Sequence, residues 1–279
     1  MLARLPAASV RAGLVLIMVL MPAALLDAVT RDGLQILALV AVFAAIFTLA
    51  EYLAVSPSLV EFRAAPPFNR ARFSGLFAIV LSVTMIFRGA NDPSAMTLFV
   101  QQTGTQMAGA IDFPYSPVRL MGLILPETAT PLQIELVRSA AGISYLIAMI
   151  SIIGFIVLLR MQRWPRPDVP FNVWVNLPQF DPTAGGDVVQ RLRRDGRVNI
   201  ILGVLLPFVV PAVLQFVGSF GSLINLENQQ TLIWTVTTWA FLPASILMRG
   251  VALARVADMI EMQREKGRVR AAVGSLGTR

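Results

Sequence analysis

The sequence predicts an all-α integral membrane protein: a bundle of six transmembrane helices, an outer interfacial amphipathic helix and a cytoplasmic extension of the last helix. Three observations lead there. Of 279 residues, 56% are hydrophobic and only 14% charged, whereas a soluble domain carries about 25% charged residues. Six apolar stretches reach the roughly 20 residues that a helix needs to cross a bilayer. The basic residues also segregate: 19 of the 23 Lys and Arg fall on alternate gaps between those stretches, as they do in a polytopic chain with positive cytoplasmic loops.

By hydrophobic pattern the spans fall at roughly 11–29, 33–54, 73–90, 137–160, 198–223 and 231–250 of a single polytopic domain. Arg4 and Arg11 ahead of the first run have the look of a signal peptide. Leu26-Asp27-Ala28 puts leucine where a cleavage site wants a small residue, which argues for a retained helix. Between the third and fourth spans, Asp92-Pro93 predicts a helix start, aspartate capping and proline in the first turn. From there Met96, Phe99, Val100, Met107, Ala110 and Ile111 share one face, and Thr97, Gln101, Gln102, Thr105 and Gln106 the other. Such a helix is too short to span and belongs in the outer interface or against the bundle. Thr130-Pro131, with Glu135 in the first turn, starts the fourth helix well before the membrane. After the sixth span, Arg255, Asp258, Glu261, Glu265 and Arg268 recur at three- and four-residue spacing. They predict an amphipathic rod to about Lys266, a stop at Gly267 and a disordered tail over 268–279.

Six spans put the N-terminus, the 55–72 and 161–197 loops and the C-terminus on the arginine-rich side. Both termini are therefore expected in the cytoplasm of a bacterium, with the chain in its cytoplasmic membrane. A net charge of +7 on such a chain points to anionic lipid headgroups on that side and not to nucleic acid. There is no cysteine and no histidine. That removes disulfides, thiolate and imidazole metal ligands, haem held by either residue, and Ser-His or Cys-His nucleophile pairs. No catalytic site, metal or cofactor is expected.

Asp27, Glu51, Arg88, Arg138 and Arg249 lie within or beside the spans, all near helix ends, where interfacial pairing or snorkelling accounts for them better than a gate does. Three residue groups remain as candidates. Pro207, Pro211 and Pro243 each remove a backbone N–H inside a span and free a carbonyl; with Gln215 nearby, they outline a kink or a path. Arg191, Arg193, Arg194 and Arg197 form a positive collar for lipid headgroups at the start of the fifth helix. Phe171, Trp174 and Phe180 form an apolar run with no helical period, laid on the bundle or offered to a partner. The glycines at 185 and 186 match neither a phosphate-binding loop nor a dinucleotide fingerprint and read as punctuation before a helix capped by Asp187. Pro-Phe-Asn occurs at 67–69 and again at 170–172, a coincidence that a chain of this length allows.

A proton-coupled carrier needs a titratable group at depth, and every ionisable side chain here is near an interface. The expected function is therefore that of a non-enzymatic integral membrane subunit, accessory or assembly factor, contacting other membrane subunits and lipids. The alternative is a transporter or channel for a neutral or apolar solute or lipid, with kinked helices five and six forming the path.

Overall fold

A computed structural model describes residues 4–26, 31–63, 66–126, 128–162, 164–165, 171–181, 183, 185–218 and 228–276, with only the backbone of Asp32, Pro66, Trp174 and 270–276. It contains α1 (Leu5–Leu25), α2 (Arg31–Leu53), α3 (Pro66–Gly89), α4 (Ala95–Ala110), α5 (Pro117–Gly122), α6 (Pro131–Met161), α7 (Val173–Asn176), α8 (Val188–Gly218) and α9 (Gln229–Leu276), with no strand among the described residues. Six of these, α1, α2, α3, α6, α8 and α9, are long and apolar enough to cross a membrane.

Each boundary has a local cause. Helix α3 begins seven residues earlier than the apolar pattern suggests, because Pro66 and Pro67 fit the first helical turn, where no N–H is needed. Arg70 and Arg72 are thus on the helix and not in a loop. Helix α4 starts two residues after the predicted Asp92-Pro93. Ser94 is the cap: its hydroxyl accepts from the Thr97 N–H, and the Thr97 hydroxyl accepts from the Ser94 N–H. Asp92 instead closes the end of α3 by pairing with Arg88 at 2.9 Å. Thr130 caps α6 through the same reciprocal arrangement with Gln133, so α6 does begin well ahead of its apolar stretch. Gly267 does not stop α9, which continues as helix to Leu276. One interior glycine costs a helix about 1 kcal/mol, too little to end it among the Arg, Val and Ala that follow. Helical residues 268–276 therefore replace most of the expected disordered tail; 277–279 lie outside the described residues.

The packing centres on α3, α6 and α9, with α8 against α9, α4 and α5 against α6, α1 against α3, and α2 against α1. Small residues set the two closest crossings. A side chain on Gly142 would run into the Gly104 carbonyl and Ala108, which joins α4 to α6. A Cβ on Gly250 would come within 2.7 Å of the Gly196 carbonyl, which joins α8 to α9. Lipid gives apolar side chains no reason to leave it, so helices in a membrane associate where their backbones approach. This explains how α4 is turned. Thr97, Gly104 and Ala108 are its buried residues, while Met96 and Phe99, from the predicted apolar face, are 63% and 66% exposed. Val100 and Ile111 of that face do pack on the core.

Candidate functional site

The N-terminal end of α1, the α2–α3 loop, the 162–187 segment and the extension of α9 meet at one end of the bundle, here termed the basic end. An aromatic cap closes it. The Phe62 ring lies 4.5 Å from Phe68 and 5.7 Å from Trp164, and Trp164 meets Phe171 edge-on at 6.3 Å. Phe62 adopts φ 51°, a left-handed conformation that is strained for a bulky residue. Its fully buried ring and a hydrogen bond from its N–H to the Asn176 carbonyl hold it there. Both Pro-Phe-Asn triplets feed this cap, through Phe68 and Phe171.

The candidate partner run is thereby accounted for in part. Phe171 packs on the core and Phe180 is buried, with the Arg191 guanidinium 4.7 Å above its ring. These two side chains pack against the bundle, Phe171 only partly buried; the Trp174 side chain lies outside the described residues. The Asp-Pro-Thr and double-glycine stretch is turn chemistry. The Asp181 carboxylate accepts from both the N–H and the hydroxyl of Thr183, and Gly186 takes φ 93°, which glycine alone tolerates easily. Asp187 then caps α8 by accepting from the N–H groups of Val189 and Gln190.

The arginine collar divides. Arg193 reaches across to Asp258 and Glu261 on α9, and Arg191 is spent on Phe180. Arg194, paired with its neighbour Asp195, and Arg197 are exposed. Nearby, Arg249 makes a two-pronged ion pair with the buried Glu61, at 2.6 and 2.8 Å. Arg72 lies over the Phe68 ring with its Nε buried and without a hydrogen-bond partner. Glu51, at the end of α2, does not pair with Arg249; its carboxylate gathers the N–H groups of Ser58, Leu59 and Val60 and the Ser58 hydroxyl. Arg88 pairs with Asp92 and Arg138 with Asp112 at the opposite end. Of the five ionisable residues singled out in the sequence, Arg88, Arg138 and Arg249 thus form ion pairs and Glu51 is held by amides and a hydroxyl, while Asp27 lies outside the described residues.

Helices α8 and α9 form an antiparallel zip: Asp187 meets Arg264, Arg193 meets Asp258 and Glu261, Gly196 meets Gly250, Gly203 meets Leu247, and Pro207 meets Trp239. The last contact accounts for Pro211. Pro211 has no N–H, so the carbonyl four residues before it, that of Pro207, loses its helical partner. The Trp239 indole N–H donates to that carbonyl at 2.9 Å. Gln215 points away, exposed. Beyond this contact the helices part. A groove of about 630 Å³ opens between α2, α8 and α9, lined by Ile36 and Val40, by Leu214, and by Thr231, Thr235 and Thr238 along one face of α9; Pro243 lies at its wall. Thr231, Thr235 and Thr238 recur at helical spacing in the sequence; their alignment on a groove with α2 does not follow from it, because nothing in the sequence says where α2 lies.

Compared with protein-family models, curated proteins and solved structures, the chain matches none of them.

Proposed function

We propose that this chain is a non-enzymatic integral membrane subunit, accessory or assembly factor of a larger membrane complex. It would act in a bacterial cytoplasmic membrane with both termini cytoplasmic. The observation that most supports this is the Trp239 contact: the carbonyl freed by a mid-span proline is already satisfied inside the protein. Glycine contacts at Gly196, Gly203 and Gly250 close the same seam toward the basic end. In this reading α8 and α9 act as one pair, closed along this seam. What is left for interaction is surface: Met96 and Phe99 facing outward from α4, and the exposed extension of α9. Blue-native electrophoresis of mildly solubilised membranes tests this. A stable band well above the monomer is expected, and migration only as a monomer counts against the reading. Orientation is open to a direct check, since the chain has no cysteine. Cysteines introduced by Thr183→Cys and Ser94→Cys should be labelled by an impermeant maleimide from opposite sides, the first only from the cytoplasm.

The groove between α2, α8 and α9 supports a second reading, in which the protein moves a neutral or apolar solute or a lipid along its threonine stripe. In that case Thr235→Trp should abolish flux or scrambling by the purified protein in liposomes. Equal rates with and without protein, across solute classes, would remove this reading.

A further inference from the structure

Two cavities at the basic end join through shared walls. One, about 330 Å³, is lined by Arg4, Arg11, Arg63 and Tyr52. The other, about 540 Å³, shares Arg11, Arg63 and Tyr52, adds Arg70, and runs down an apolar trough past Val10, Leu14 and Phe73. The polarity changes along α1 itself. Arg4 is at the rim, Arg11 about 10 Å further along the axis, and Leu14 about 15 Å along, at 1.5 Å per residue. Charge at the top and hydrocarbon below is the order in which a membrane lipid is built.

The charges in this place are not cancelled as they are elsewhere. Arg11 donates to the Ala7 carbonyl at 2.8 Å and lies 4.6 Å above the Tyr52 ring. Arg63 donates to the carbonyls of Glu51, Ala54 and Val55 at 2.7–3.0 Å, which caps the end of α2. Carbonyls and rings offset a charge only in part; a helix end supplies about half a negative charge. The near carboxylate is Glu51, already engaged by the amides of Ser58, Leu59 and Val60. Burial, and after it the neighbouring Arg4, push the Arg63 guanidinium below its ordinary pKa against the opposing pull of Glu51. Three arginines around one cavity with one occupied carboxylate make a seat for an anion.

We propose that the joined cavities form a single site for an anionic, phosphate-headed membrane lipid. The phosphate rests on Arg4, Arg11 and Arg63, and an acyl chain lies in the trough beside Leu14 and Phe73. This rests on the reading of the chain as a membrane protein that works through lipid and protein contacts, and it names the lipid class and the place. It differs from the collar expected on α8, where Arg191 and Arg193 are committed to Phe180 and to α9.

The test is native mass spectrometry of the full-length protein in detergent, titrated with phosphatidylglycerol, phosphatidylcholine or inorganic phosphate. Wild type is expected to retain phosphatidylglycerol preferentially. The double variant Arg4→Gln/Arg11→Gln should weaken that retention about 30-fold, at about fivefold for each cation removed. Leu14→Trp, which fills the trough and leaves every arginine in place, should also weaken it. Lys266→Gln/Arg268→Gln, which removes two exposed charges from the α9 extension at the same end, should leave it unchanged. Unchanged retention in both Arg4→Gln/Arg11→Gln and Leu14→Trp overturns the site. An equal loss in Lys266→Gln/Arg268→Gln overturns it in favour of diffuse surface charge. Competition by inorganic phosphate as strong as by the lipid overturns the lipid assignment in favour of a free anion. Blue-native migration of the same variants is read separately, so loss of the lipid site with the larger band intact, or the reverse, shows which reading fails.

Discussion

Arginines gather in two regions of the basic end and meet opposite fates. On the α8–α9 side, Arg193, Arg249 and Arg264 face carboxylates: Asp258 and Glu261, Glu61, and Asp187. On the α1–α3 side, Arg11 and Arg63 face carbonyls and a ring. The same contrast extends to the helices. Glycines lock α8 onto α9, while α2 is the least buried of the spanning helices and packs on α1. One side is stitched together by ion pairs; on the other, arginines meet carbonyls and a ring. A count of arginines in a loop cannot separate these roles, because the partner decides, and the partner is set by the fold.

The largest test of that contrast is Glu61→Ala. It leaves Arg249 partly buried without its counter-charge, which should cost about 3 kcal/mol, the low end for a broken buried pair because Arg249 keeps 30% exposure. Arg70→Gln, on the other side, should fall within about 0.5 kcal/mol. Thermal unfolding in detergent measures both. Next is a glycine comparison by the same assay. Gly250→Ala pushes a methyl against the Gly196 carbonyl and the Ile200 N–H, and should destabilise by about 1–3 kcal/mol. Gly13→Ala on α1 meets no neighbouring atom and should gain up to about 1 kcal/mol from helix propensity. If the two behave alike, the asymmetry between the sides is not real. A smaller loss, about 1 kcal/mol, is expected for Trp239→Phe, which keeps a ring but leaves the Pro207 carbonyl without its donor.

The smallest effect is one of pH. The Asp187 carboxyl is held below the usual carboxylate range, first by its hydrogen bond from Arg264 and further by the N–H groups it caps. A depressed carboxylate stabilises wherever it is ionised and loses that contribution as pH falls through its folded value. Docking of the α9 extension onto α8 should thus be constant from pH 8 to 5 and weaken only below about pH 4. Spin labels on cysteines introduced by Thr183→Cys and Lys266→Cys would report the separation. Loosening near neutrality would contradict the assignment.

How much of this was legible in the sequence follows from what each feature depends on. The six spans and the polar extension depend on composition along one chain, and hydrophobic runs and i,i+4 charges record that directly. The start of α3 was also written there, in Pro66-Pro67, but the apolar count outweighed it. The apolar face of α4 could be listed from the sequence, but which side meets the bundle could not, because in lipid it is Gly104 and Ala108 that bring a neighbour close. Phe62 in a left-handed conformation carries no local signal, since only its buried surroundings hold it there. The pairing of Trp239 with Pro207 needs the register between α8 and α9. Asp258 and Glu261 hinted at that register only once a partner helix was known.

Helix α9 has 48 residues and runs without a break to Leu276. At 1.5 Å per residue it is about 72 Å long, against a hydrocarbon thickness of about 30 Å. The twelve residues beyond Arg264, its last described contact with the α8 start, stand about 18 Å further out. Pro243 lies on the same helix between that tip and Trp239, so the two ends of α9 are joined through a turn that lacks one backbone hydrogen bond.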